Sequence, residues 1–181
     1  MIMIDANKPF CGSKVYFSGS IKGVPEAEPD FAWKIVQFME DGGAEVLSKH
    51  VAARSPEEMD RIRTQKMGIP LENWKSLAEP WFLTRKSDRE WVDEATHLVA
   101  LVNSPSHGVG MEIERALLKP ERGLALTPIL CFVSPSSIKN LSFMIKGVNP
   151  LEECPCYSLE TYRSLNEAKG KIYYFLTNPA F

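Results

Sequence analysis

The run His97-Leu-Val-Ala-Leu-Val-Asn-Ser-Pro-Ser-His-Gly-Val-Gly-Met-Glu-Ile-Glu-Arg-Ala116 decides the fold. Its apolar half, His97 to Val102, reads as a buried strand that breaks at Ser104-Pro105 and turns through Gly108 and Gly110 into a helix. Ser106 is placed to cap that helix, because its hydroxyl can accept from an unpaired amide of the first turn. The hydroxyl, the glycine amides and the positive helix end together form a candidate anion cradle that suits a phosphate. Glu112 falls four residues after Gly108, on the same helical face, and so aims at whatever the cradle holds. Near a helix N-terminus it should stay ionised, as a nucleophile must. The plainer reading, a tight strand-to-helix turn with an ordinary surface glutamate, is equally open from this stretch alone.

Working outward, Lys14-Val-Tyr-Phe-Ser-Gly-Ser20 predicts a first strand running into the glycine-containing loop Ile21 to Pro25. Asp30 opens a helical pattern with Phe31, Ile35, Phe38 and Met39 on one face, stopped by Gly42-Gly43. Ala44 to Ser48 reads as the second strand, with His50 just beyond it. Residues 52–82 are an excursion, an insertion or lid, which begins with a helix start at Ser55-Pro-Glu-Glu58 and carries Trp74 and Trp81. A helix from Thr84 to Glu94 places Leu83, Trp91 and Ala95 inward and leaves Asp88 on the open side. Pro128 to Val133 gives a fourth buried strand, Leu141 to Ile145 a short helix or turn, Cys156 to Ser158 an edge strand, and Leu159 to Leu176 a closing helix. Alternating strands and helices of this kind predict an α/β fold, a doubly wound, mostly parallel sheet of about five strands flanked by helices. In such sheets ligands bind outside the carboxyl ends of the strands, where the loops at Gly19, His50 and Ser104 to Gly110 gather.

Composition narrows the classes. The 181 residues suit one domain, with 1–13 as a polar extension. At 44% hydrophobic, 24% charged and a net charge of -2, the chain offers no basic field for a nucleic-acid polymer. No run has the length of a membrane span and no secretory signal opens the chain, so the expected location is the cytosol, with the nucleus also open. The four cysteines form no zinc spacing and no metal or organic cofactor is expected. Cys131 reads as core, and Cys154-Pro-Cys156 as reduced side chains or a redox pair.

Five blocks then carry a resemblance: Val-Tyr-Phe-Ser-Gly-Ser-Ile-Lys-Gly (15–23), Val-Leu-Ser-Lys-His-Val-Ala (46–52), Ser-Asp-Arg-Glu-Trp (87–91), Pro-Ser-His-Gly-Val-Gly-Met-Glu (105–112) and Leu-Ser-Phe-Met-Ile-Lys-Gly (141–147). In order and spacing the chain resembles the 2'-deoxynucleoside 5'-phosphate N-hydrolases of the nucleoside 2-deoxyribosyltransferase superfamily. The resemblance implies a Rossmann-like domain, a homodimer, and cleavage of a nucleotide's N-glycosidic bond to free base and 2-deoxyribose 5-phosphate. It also implies roles: Glu112 as the nucleophile at C1', Asp88 as the second acid that assists the departing base, and Tyr16 as the residue orienting the nucleophile. Gly19, Ser20, Ile21, Lys22 and Gly23 match the loop lining the nucleotide, and Ser106 and Gly108 match phosphate contacts. Ser142 matches a serine donated by the neighbouring subunit, and His50 and Met144 further pocket residues.

The chain departs from the family at Lys22, where an arginine is common, at Ala95-Thr96, which lacks an acid, and in the length of the 52–82 excursion. Three rivals share the scaffold: base exchange, a ribonucleotide N-ribosidase, and a nucleotide-binding module without turnover. The pair Glu112 and Asp88 argues against the last, since a binder needs neither. His50 is either a ligand contact or a structural histidine, His97 reads as structural, and His107 as exposed.

Overall fold

A computed structural model describes residues 8–20 and 30–178. The candidate residues Ile21, Lys22 and Gly23 lie outside the described residues. Five strands, β1 (Lys14–Gly19), β2 (Glu45–Val46), β3 (His97–Leu101), β4 (Ile129–Val133) and β5 (Tyr157–Thr161), form one sheet in the order β2-β1-β3-β4-β5. Every pairing is parallel. The helices are α1 (Phe31–Asp41), α2 (Pro56–Met67), α3 (Leu71–Ser76), α4 (Pro80–Glu94), α5 (His107–Leu117), α6 (Phe143–Lys146) and α7 (Leu165–Thr177). Among the described residues no helix is long and apolar enough to cross a membrane.

Alternation along the strands sorts the side chains onto two cores. Leu98, Ala100 and Val102 pack with α4 and α5 on one face. Val99 and Leu101, with Val15 and Phe17, pack with α1 and α7 on the other. Both faces are covered, which is why β3 and β4 read as continuous apolar runs. The strand order reverses between β1 and β3, so the crevice for a ligand lies at their carboxyl ends, where Gly19 and Leu101 are paired.

Several boundaries differ from the expectations. Gly108 and Gly110 are not turn residues but lie inside α5, which starts at His107. The second strand shortens to two residues because Ser48 turns its hydroxyl onto β1, accepting from Phe17 N at 2.8 Å and donating to Phe17 O at 2.7 Å. The expected closing helix divides: Leu159 belongs to β5, and α7 begins only after Ser164, whose hydroxyl accepts from Glu167 N while Glu167 Oε2 accepts from Arg163 N. That reciprocal cap fixes the start. Leu83 is exposed rather than inward.

The polar extension also carries an anchor. Phe10 is buried against the rings of Phe38 and Tyr173, and its amide donates to Gly42 O at 2.8 Å. A Cβ on Gly42 would stand 2.2 Å from Phe10 Cδ2. Gly42→Ala is therefore expected to destabilise the protein by about 1–3 kcal/mol through overpacking, read as a lowered midpoint in thermal unfolding.

Candidate active site

The strand β1 supplies the floor. Tyr16 and Ser18 are two residues apart and so share the face of the sheet turned towards α5. Both donate to one carboxylate: Tyr16 Oη to Glu112 Oε1 at 3.0 Å and Ser18 Oγ to Glu112 Oε2 at 2.5 Å. Two hydroxyls on a central strand thus fix the plane of the Glu112 carboxylate. Ser106 caps α5 as expected, accepting from Val109 N at 3.4 Å. The β3–α5 connection is held by Asn103, which accepts from Ser134 N and bonds the Tyr162 hydroxyl.

Asp88 comes from α4. Asp93, near the end of that helix, pairs with Arg115 and Arg122, and buried Lys119 donates to Ala95 O at 2.8 Å. These ties set α4 beside α5. A pocket of about 310 Å³ lies between the two helices, with Asp88, Val92, Gly108, Met111, Glu112 and Trp81 in its wall.

Burial dominates the electrostatics. It raises Glu112 from 4.5 to about 7, against the hydroxyls of Ser18 and Tyr16, which favour the anion, and with the Asp88 charge adding to the rise. The expectation that the helix end keeps Glu112 ionised is therefore corrected: desolvation outweighs it, and the carboxyl titrates near neutrality. Burial likewise raises Asp88 to about 6, opposed by the positive charge of Arg63. Asp88 Oδ1 is buried without a hydrogen-bond partner, on the side of the carboxyl that faces His50. His50 is buried and held neutral, lowered to about 3 by desolvation; its Nε2 stands 3.8 Å from Asp88 Oδ1, too far for a hydrogen bond, and its ring leans on Trp91.

The structure thus brings together Tyr16, Asp88, Gly108 and Glu112, with His50 behind Asp88 and Gly19 at the carboxyl end of β1. Ser20 follows Gly19. Ser106, Ser142 and Met144 line a different, largely apolar groove of about 1020 Å³ between α5 and α6. Ser142 there caps α6, accepting from Met144 N at 3.2 Å. Sequence reasoning missed two residues. Ser18 was signalled only by its place two positions after Tyr16 on a strand. Arg63, buried in α2 beneath Trp74, had no signal.

Because the Ser18 hydroxyl stabilises the Glu112 carboxylate, Ser18→Ala is expected to move the acid flank of the rate profile to higher pH. Activity at pH 6 then falls more than activity at pH 8, measured as kcat/KM across pH.

No family model matches the chain. It is 33% identical over 133 residues to a 5-hydroxymethyl-dUMP N-hydrolase from Rattus norvegicus, covering 74% of this chain and 68% of the rat protein. It is 30% identical over 164 residues to a Trichoplax adhaerens protein provisionally named 2'-deoxynucleoside 5'-phosphate N-hydrolase 1, covering 90% and 92% of the two chains. The chain belongs to the 2'-deoxynucleoside 5'-phosphate N-hydrolase family. This N-hydrolase is accordingly an N-glycosidase. Its fold is also that of the solved structure of a Clostridium botulinum CMP N-glycosidase, at a TM-score of 0.53 and 19% identity over 88% of this chain and 96% of that one.

Proposed function

We propose that this N-hydrolase cleaves the N-glycosidic bond of 2'-deoxynucleoside 5'-monophosphates and passes through a covalent ester on Glu112. One observation carries the reading: a half-buried carboxylate held by two strand hydroxyls, with a second half-buried acid on the neighbouring helix. The relatives' names support the substrate class.

Glu112 attacks C1' as the bond from C1' to the base nitrogen breaks, and Asp88 gives its proton to the departing base. Asp88, now a carboxylate, takes a proton from the water that attacks C1' and releases Glu112, leaving 2-deoxyribose 5-phosphate. This is retaining glycoside chemistry, which asks for carboxyl groups roughly 5 Å apart. It runs from the pair's singly protonated state. At low pH Glu112 is neutral and cannot attack; at high pH Asp88 has lost its proton. With the two groups near 7 and 6, the shared proton rests mostly on Glu112, so the reactive form with the proton on Asp88 is the minor tautomer of the singly protonated state. The rate profile is a bell that follows that state. The first-turn amides of α5 and the Ser106 hydroxyl are the phosphate contacts in this reading, with the phosphate fixing the sugar over Glu112.

The test is chromatographic product analysis with deoxy- and ribonucleoside monophosphates and the matching nucleosides, with and without a second base. Free base from deoxynucleotides alone supports the proposal. Cleavage confined to ribonucleotides overturns the sugar assignment, and base exchange overturns hydrolysis.

A second copy completes the phosphate site in the same reading. Phe143 and Met144 are 85% and 80% exposed beside the α5–α6 groove, an apolar surface suited to a homodimer that brings Ser142 to the partner's nucleotide. Phe143→Asp is expected to give monomers in analytical ultracentrifugation and to weaken substrate binding about tenfold or more.

A further inference from the structure

The two tryptophans of the 52–82 excursion have opposite fates. Trp74 is buried, with the Arg63 guanidinium 5.7 Å from its ring centre. Trp81 leaves 57% of its surface exposed, although an indole has more apolar area to hide than any other side chain. It is braced by Phe82, whose ring centre lies 6.2 Å away at 49°. Of these two rings Trp81 is the one in the wall of the pocket that holds Glu112 and Asp88.

Its position on α4 is informative. Trp81, Asp88 and Val92 are spaced so as to share one helical face, and Trp81 precedes Asp88 by two turns, about 10 Å along the axis. Across the pocket stands Met111, half exposed and next in sequence to Glu112. The acids therefore sit towards one end of the cleft and the indole towards the other, with the Met111 thioether in the wall beside Glu112. A substrate with its reacting carbon at Glu112, and its leaving group taking a proton from Asp88, projects that leaving group along α4 towards Trp81. A flat heteroaromatic ring fits such a wall, because an indole face stacks on a base without reading its edge.

We infer that Trp81 is the stacking wall for the nucleobase and a specificity-determining residue of this chain. The inference rests on the N-glycosidase reading above, which sets the leaving base beside Asp88. Stacking grows with ring area, so purine nucleotides depend on Trp81 more than pyrimidine nucleotides. The 2' position of the sugar, far from the indole, is not discriminated by it.

The test compares wild type, Trp81→Phe and Trp81→Ala in steady-state kinetics with purine and pyrimidine deoxynucleoside monophosphates. Calorimetric binding of the same nucleotides is measured on Glu112→Gln with and without Trp81→Ala. The expected result is a rise in KM and Kd of about tenfold or more for Trp81→Ala, larger for purines, with a small change in kcat. Trp81→Phe should keep most of the affinity, which separates stacking from misfolding. Unchanged KM and Kd in Trp81→Ala, while wild type binds and cleaves, would overturn the stacking role alone. A change in oligomeric state with KM unmoved would overturn it too, by making Trp81 a contact between copies. If wild type neither binds nor cleaves any nucleotide, the N-glycosidase reading fails and this inference fails with it.

Discussion

Glu112→Gln is expected to lower base release on the order of a thousandfold or more while making the folded protein more stable at alkaline pH. The two effects have one cause. The wild-type carboxyl is raised to about 7 in the folded state from an ordinary 4.5, chiefly by burial. A raised carboxyl favours folding only while it is neutral. Below pH 4.5 it is protonated folded and unfolded alike, and no penalty arises. Between pH 4.5 and 7 the unfolded chain ionises while the folded chain still holds the group neutral, so a penalty grows and levels off above pH 7 at about 3 kcal/mol. Glutamine keeps the shape and carries no charge, so the variant should gain up to about 3 kcal/mol over wild type at pH 8 and nothing at pH 4. Denaturant unfolding at the two pH values reads this directly. A variant that is inactive and less stable at pH 8 would mean that the carboxylate is well solvated or better paired than its surroundings indicate.

Asp88→Asn is expected to lower kcat on the order of a hundredfold or more, because its proton no longer reaches the departing base. The pH profile gives the sharper reading. Asparagine does not titrate, so the alkaline limb of the bell, which marks loss of the pair's shared proton, should disappear. The rising limb that remains should report Glu112 alone, at a pKa below about 7, since the Asp88 charge is one of the causes raising it. Substrates with a better leaving base should lose less, as they need less protonation. A profile that keeps both limbs would remove Asp88 from the proton transfer and leave it as a charge on the α4 face.

What the sequence made legible follows from the range of the forces involved. The β3–α5 unit was readable because its signals are local: an apolar run, a Ser-Pro break, and Ser106 three residues before the amide it caps. The parallel, doubly wound class followed from alternation of such units. Boundaries failed where a tertiary contact overrode the local pattern, as when Ser48 bonded the β1 backbone and ended β2 early. At Leu159 to Leu165 the apolar spacing fitted strand and helix alike, and the Ser164 and Glu167 cap that separates them went unread.

The site divides in the same way. Glu112 was singled out by its place on a helix that begins at a candidate cradle, whereas Asp88 stood out only through family resemblance. Nothing in the spacing of 24 residues between them says that α4 and α5 lie side by side. Their neighbourhood is set by Asp93, which ties two arginines from the α5 side. Ser18 was within reach of strand periodicity once Tyr16 was placed on β1. Arg63 was not, because a buried guanidinium stacked on Trp74 depends on how α2 and α3 fold back. The desolvation that lifts Glu112 to about 7 likewise belongs to the assembled pocket, not to the helix end read from sequence.

The covalent ester on Glu112 is tested most directly by acid-quenched peptide mass spectrometry of the protein mixed rapidly with a deoxynucleoside monophosphate. The expected result is a 2-deoxyribose 5-phosphate adduct on the peptide containing Glu112, present during turnover and absent in Glu112→Gln. Turnover with no adduct at any quench time, or an adduct on another residue, would contradict it.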